Sequence, residues 1–213
     1  MRYGIFVVVL LLSSFSVFGD PQTEIIELQK SWDQTNFTLD SKPRKKALRA
    51  LIEKAGQYRQ AHPEKVEFYI WEGIIRASYN DAAGGIGGLR QAKEAKELFE
   101  KAIKINPDAM HGMAYTALGT LYYQVIGWPI SFGDDQKAEE FLNKGISTNP
   151  NDLEAHYFLG KLYMDDDNWK SAVEILEKGL ALPEISELPA FDHARRIDME
   201  RLLAKAKSEL ADQ

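Results

Sequence analysis

Ala-Tyr-Thr-Ala-Leu-Gly-Thr-Leu-Tyr (114–122) and Ala-His-Tyr-Phe-Leu-Gly-Lys-Leu-Tyr (155–163) are two copies of one short helix. Each is followed by a second apolar stretch that closes on a proline, Pro150 after the first copy and Pro183 after the second. Self-similarity of this kind marks a helical solenoid, in which each unit buries its apolar face against its neighbours. A third copy lies upstream, with Tyr69, Gly73, Ala95, Phe99, Ala102 and Pro107 in phase; Glu72 stands where the other copies have Leu118 and Leu159.

The last copy is the most regular. Glu154 to Met164 is helical in period, and Asp165-Asp166-Asp167-Asn168 supplies side-chain oxygens to cap a helix that begins near Trp169. That helix sets Ala172, Leu176, Gly179 and Leu180 along one face. Gly160 and Ala172 are small where the paired helices are expected to cross closely. The set resembles the tetratricopeptide repeat, with a period of about 34 residues. The middle copy carries Tyr115, Leu118, Gly119, Tyr122, Ala138, Leu142, Gly145 and Pro150; the last carries Gly160, Tyr163 and Ala172. The resemblance implies an all-α solenoid of about three repeats, over 65–107, 108–150 and 151–184. Helical patterns at 22–36 and 43–61 place a degenerate repeat in 20–64, and a long helix in 185–213 is expected to cap the array with Arg195, Arg196, Glu200 and Lys205 outward. Nine helices and no strand are predicted.

Spacing separates this chain from a plain array. Pro63 to Pro107 is 44 residues, Pro107 to Pro150 is 43, and Pro150 to Pro183 is 33. The extra length falls between paired helices, near 80–90 (Asn-Asp-Ala-Ala-Gly-Gly-Ile-Gly-Gly-Leu-Arg) and at 125–134, which includes Gly127-Trp128-Pro129-Ile130-Ser131-Phe132-Gly133. Insertions that recur at one kind of junction should share one edge, and such an edge often binds. Gly84-Gly85-Ile86-Gly87-Gly88 lacks the strand and the Gly-Lys-Ser/Thr of a phosphate loop, so it reads as a flexible insert. Trp128 and Phe132 leave two readings open: they fold back over the hairpin end, or they stand out for a partner.

The chain has 213 residues, 26 Lys+Arg against 32 Asp+Glu, and a formal charge of −6. That balance argues against phosphate-driven nucleic-acid binding. Residues 1–19 run from Arg2 through Ile-Phe-Val-Val-Val-Leu-Leu-Leu to Val17 and Gly19, the layout of a cleaved secretory leader. The apolar run falls short of the ~20 residues that span a bilayer, so no stable membrane anchor is expected after cleavage. The absence of cysteine excludes disulfides, thiol catalysis and a lipidated N-terminal cysteine. The combination fits a soluble periplasmic protein.

Residues 65–183 also resemble the tetratricopeptide accessory component of TRAP-type solute transporters, the TatT family. The likeness is carried by the Gly-Gly-Ile-Gly-Gly segment, Leu-Tyr-Tyr-Gln-Val before Gly-Trp-Pro, and Phe-Gly-Asp before the next helix. It implies a solute-binding protein as partner and a small apolar ligand. Repeat geometry implies that the first helix of each pair lines a concave groove. The groove would then receive Ile70, Ile74 and Ala77, then Met113, Thr116, Thr120 and Tyr123, then Tyr157, Lys161 and Met164. Such a mixed surface suits a peptide segment or a partially apolar ligand better than an acidic tail.

Three chemical motifs fail on spacing. The Asp165–Asp167 run lacks the alternating ligands, glycine and distal glutamate of a calcium loop. The four histidines, at 62, 111, 156 and 193, have no short ligand spacing, and His156 occupies a packed aromatic position. Asp134 reads as a helix cap. The expectation is a non-enzyme without metal or cofactor that docks a protein segment in its groove, with TRAP-type ligand handling as the alternative.

Overall fold

The computed structural model describes residues 19–212; positions 1–18 of the predicted leader, and Gln213, lie outside them. Nine α-helices follow in order: α1 (Pro21–Thr38), α2 (Ser41–Ala61), α3 (Val66–Ala83), α4 (Gly85–Ile105), α5 (Met113–Gln124), α6 (Asp135–Thr148), α7 (Leu153–Asp165), α8 (Trp169–Leu180) and α9 (Pro189–Ala211). A 3₁₀ turn, Ala109–Gly112, joins α4 to α5. Among the described residues there is no strand beyond one isolated bridge, Gly127 to Gly133. The fold is an all-α helical repeat of the tetratricopeptide type.

Short polar side chains start four of these helices. Asp20, Asp134, Asp152 and Asn168 accept the N–H of Thr23, Lys137, Ala155 and Ser171, satisfying donors that the helix itself leaves unpaired. Within each repeat a glycine lets the paired helices approach. A Cβ on Gly73 would lie 2.4 Å from Phe99 Cε1, and one on Gly160 would lie 2.5 Å from Leu176 Cδ2. Ala95, Phe99, Ala138 and Ala172 are fully buried at the facing positions, and Tyr69 is buried with its hydroxyl donating to the Pro63 carbonyl.

The glycine-rich segment is not a loop. Residues 80–83 complete α3, Gly84 alone forms the junction with φ at 58°, and Gly85–Gly88 form the first turn of α4. The extra residues therefore lengthen both helices, and glycine is required only where φ turns positive. The second insertion is a loop. Its backbone is tied by Gly133 N–H to the Ile126 carbonyl and by Asp134 N–H to the Tyr122 carbonyl, and the Trp128–Pro129 peptide is cis.

Glu72, the departure from the repeat pattern, is 1% exposed. Its carboxylate accepts from Arg59 Nε at 2.5 Å and from Arg76 Nη2 at 2.7 Å, so it joins α2, α3 and, through the contact of Arg76 with Glu94, α4. A buried carboxylate persists because it is paired on both sides.

The two ends of the chain meet. Helices α1, α3, α5, α7 and α9 pack in sequence along the inside, and α9 then packs on α1, closing the circuit. Trp32 and Phe37 of α1 make an aromatic cluster with Phe191 of α9, with ring centroids 5.3–5.8 Å apart. Asp33 is 6% exposed, and its carboxylate accepts the N–H of Ala190 at 3.2 Å and of Phe191 at 2.6 Å. It caps α9, whose own N-cap, Leu188, has no side chain able to do so. The outward placement predicted for Arg195 and Arg196 is corrected. Arg195 turns to the interior. Arg196 donates to the carbonyls of Leu180, Leu182 and Pro183, fixing the α8–α9 connection.

Candidate functional site

The inner helices line a half-open cavity of about 690 Å³. Its apolar wall includes Trp71 and Ile74 from α3, Met113 from α5, Phe158 from α7 and Phe191 from α9. Its polar groups are concentrated on α5, α7 and α9. Thr116 Oγ1 donates to Asp152 Oδ2 at 2.6 Å, and Asp152 Oδ1 accepts from Ala155 N–H at 3.0 Å. Burial pushes the Asp152 carboxyl above its usual value, although both hydrogen bonds favour the charged form.

Arg195 is the main cation of this wall. Its Nε and Nη2 donate to Glu154 at 2.6 and 2.9 Å, and its guanidinium lies 4.0 Å from the centroid of the Tyr157 ring. The ion pair and the ring together fix its orientation. Lys161 Nζ lies 5.1–5.6 Å from the rings of Tyr123, Tyr157 and Phe158. Met110 and His111, also on the wall, take φ of 50° and 57°. Two successive left-handed residues that are not glycine are costly and are held only by surrounding packing.

Of the residues predicted to line a groove, Ile74, Ala77, Met113, Thr116, Thr120, Tyr157 and Lys161 meet at this cavity. Three do not. Ile70 is fully buried among Tyr69, Ala102 and Ala114, and Met164 is buried in the main core. Tyr123 packs its edge on Phe158 and donates its hydroxyl to Asp165 at 2.6 Å, away from the cavity; burial and Asp165 push its phenol up. Sequence reasoning missed Asp33, Asp152, Glu154 and Arg195. Asp152 is the N-cap of α7 and Asp33 lies within α1, and nothing local marks the one as a cavity wall or the other as the cap of a distant helix; the apolar residues of α9 run round more than one face, which is the signal that α9 is packed on both sides.

The insertion loop resolves the two readings of its aromatics in opposite ways. Phe132 folds back, meeting Tyr122 edge to face at 5.6 Å. Trp128 is 89% exposed, flanked by Ile126 at 58% and Ile130 at 63%. Asp134 ends the loop as the cap of α6. Leu89, from the start of α4, and Phe132 pack on the same apolar cluster.

Among the described residues no group of three or more His, Asp or Glu side chains is placed to hold a metal ion, and no helix is long and apolar enough to cross a membrane.

The tetratricopeptide-repeat family profile matches residues 87–109. The Protein CTR9 homolog of Arabidopsis thaliana is 26% identical over 178 residues, covering 76% of this chain and 14% of that protein. The chain thus spans a small part of that relative. Two crystal structures of MamA are also similar. One covers 90% of this chain and 93% of its own at 19% identity with a TM-score of 0.48; the other covers 81% and 94% at 21% identity with a TM-score of 0.47.

Proposed function

We propose that this chain is an exported, periplasmic, non-catalytic interaction module that holds a protein segment through its second insertion loop and the neighbouring concave face. The observation that carries the reading is the exposure of Trp128 between Ile126 and Ile130 on a loop whose backbone is pinned at its base. A large aromatic on an ordered platform loses little conformational freedom on contact, and such residues dominate binding energy at interfaces. The repeat fold supports the reading at the level of class, since stacked helix pairs serve as extended docking surfaces.

A photo-crosslinking amino acid at position 130, with a control at Lys207 on α9, tests the site in the native envelope. A protein adduct specific to position 130 supports it. Equal adducts at both positions, or none at 130, reject the loop as the contact.

The cavity favours a second reading, the handling of a small apolar acid together with a solute-binding protein, as the TRAP-accessory likeness implies. Its support is an aromatic and aliphatic wall beside Lys161 and Arg195. Copurification of an organic acid from the native source, lost on Lys161→Ala, would favour this reading over the first.

A further inference from the structure

The charge of this chain is unevenly placed. Net acidity is −6, yet Lys42, Arg44, Lys45, Lys46 and Arg49 fall within the first nine residues of α2, with no acid among them. Lys42, Lys45, Lys46 and Arg49 follow the i, i+3, i+4, i+7 spacing of one helix face, and all four are exposed. The opposite face buries Leu48, Leu51 and Ala55. Arg44 leaves the stripe and pairs with Asp81 at 2.9 Å. Among the described residues no carboxylate forms an ion pair with the four stripe residues; Lys45 lies 6.0 Å over the Tyr79 ring, and Asp40 and Glu53 flank the stripe at its two ends.

Folding does not call for this arrangement. Lys42, in the first turn, opposes the positive end of the helix dipole, where acids are favourable, and Lys45, Lys46 and Arg49 crowd like charge along the same face. A destabilising placement that the fold does not use points to an external anion.

The neighbouring surface adds an apolar tip. Ile86 is 90% exposed on the first turn of α4, and the space around Gly84, Gly85 and Gly87 is open. Gly87 and Arg90 border the same shallow hollow as Arg49, so this tip adjoins the basic stripe. The hollow, about 140 Å³, is too small to seat a peptide segment. Lysines act as point charges without the bidentate geometry that arginine brings to a defined carboxylate. A broad array of point charges on an outer helix beside a protruding isoleucine matches a diffuse anionic surface that admits an apolar side chain.

We infer that the α2 stripe, with Ile86, docks the protein on an anionic lipid surface. This contact is separate from the loop assigned to a protein partner.

The test is vesicle co-sedimentation of residues 20–213, which contain all nine helices and the contacts that close the ring. Phosphatidylcholine vesicles containing roughly one-third phosphatidylglycerol are compared with phosphatidylcholine alone. Binding is expected only to the anionic vesicles, and it should fall steeply as salt approaches roughly 0.5 M. Lys42→Glu/Lys45→Glu/Lys46→Glu should weaken it about tenfold or more. Acids at a helix N-terminus favour the helix, so loss of binding in this variant is not a folding failure, and circular dichroism verifies that. Ile86→Ser should weaken binding several-fold while preserving the salt dependence. Equal binding by the triple variant overturns the inference, as does failure to bind anionic vesicles. Capture of a polyglutamate peptide without vesicle binding also overturns it, assigning the stripe to an acidic protein segment.

Discussion

The Asp33 carboxylate accepts the backbone N–H of Phe191 at 2.6 Å, joining residues 158 positions apart at the point where the last helix meets the first. It joins the α1–α9 packing and the Trp32–Phe37–Phe191 cluster that close the ring, and it supplies the cap that α9 lacks. Asp33→Ala should cost about 1–2 kcal/mol in chemical denaturation, in the range of a lost helix cap. Asp33→Asn should recover part of that, since its one amide oxygen can accept from Phe191 but its NH2 cannot accept from Ala190. Faster amide exchange at residues 190–192 in the alanine variant would localise the effect, and unchanged exchange there would refute the capping role.

Glu72 sits between Arg59 and Arg76 in the position that the other repeats fill with leucine. Glu72→Ala removes the carboxylate and leaves both guanidinium groups without it, so a loss of about 3 kcal/mol is expected. The double change Glu72→Leu/Arg76→Leu should be milder than Glu72→Ala, since it restores an apolar contact and removes one stranded charge. An equal or larger loss would show that the ion network contributes more than its pairing.

Gly73→Ala would place a methyl group 2.4 Å from the fully buried Phe99 ring. The contact lies at the close crossing of α3 and α4, so overpacking should cost about 1–3 kcal/mol. A thermal melt at or above the parent value would mean that α3 and α4 are not held at this spacing.

Asp152 carries a carboxyl whose folded pKa is raised by burial. The folded state then holds the proton more readily than the unfolded chain. Its contribution to stability is therefore full at low pH and is lost as pH rises through the folded value. Asp152→Asn keeps an N-cap of similar quality and removes the titration. The melting temperature of the parent should fall relative to the variant as pH rises above the ordinary carboxylate range of about pH 4. Parallel pH profiles would refute the assignment.

Much of the helical order was legible because the units repeat their instructions: Leu-Gly at the crossing in the last two, and proline at the stop in all three. Caps at Asp134 and Asn168 could be anticipated from residue type and position alone. The Gly84–Gly88 segment was misread because glycine lowers helix propensity locally, whereas Leu89, Ala92 and Ala95 continue an apolar stripe that the tertiary contact with α3 and α5 stabilises. Ring closure was not legible at all. It depends on Asp33 and Phe191 meeting across the whole chain, and no local pattern records which distant backbone N–H an aspartate will accept. Arg195 followed the same logic, since a charged residue on a terminal helix reads as solvent-facing until its half-buried partner, Glu154, is known.

The most direct measurement is affinity capture from the native envelope with residues 20–213, in parallel with Trp128→Ala. Because Trp128 is 89% exposed, the substitution should change stability by no more than about 0.5 kcal/mol. The expected result is a protein recovered by the parent and lost, or reduced about tenfold or more, in the variant at unchanged melting temperature. Equal recovery by both, or a marked drop in melting temperature with binding intact, would contradict the role assigned to the loop.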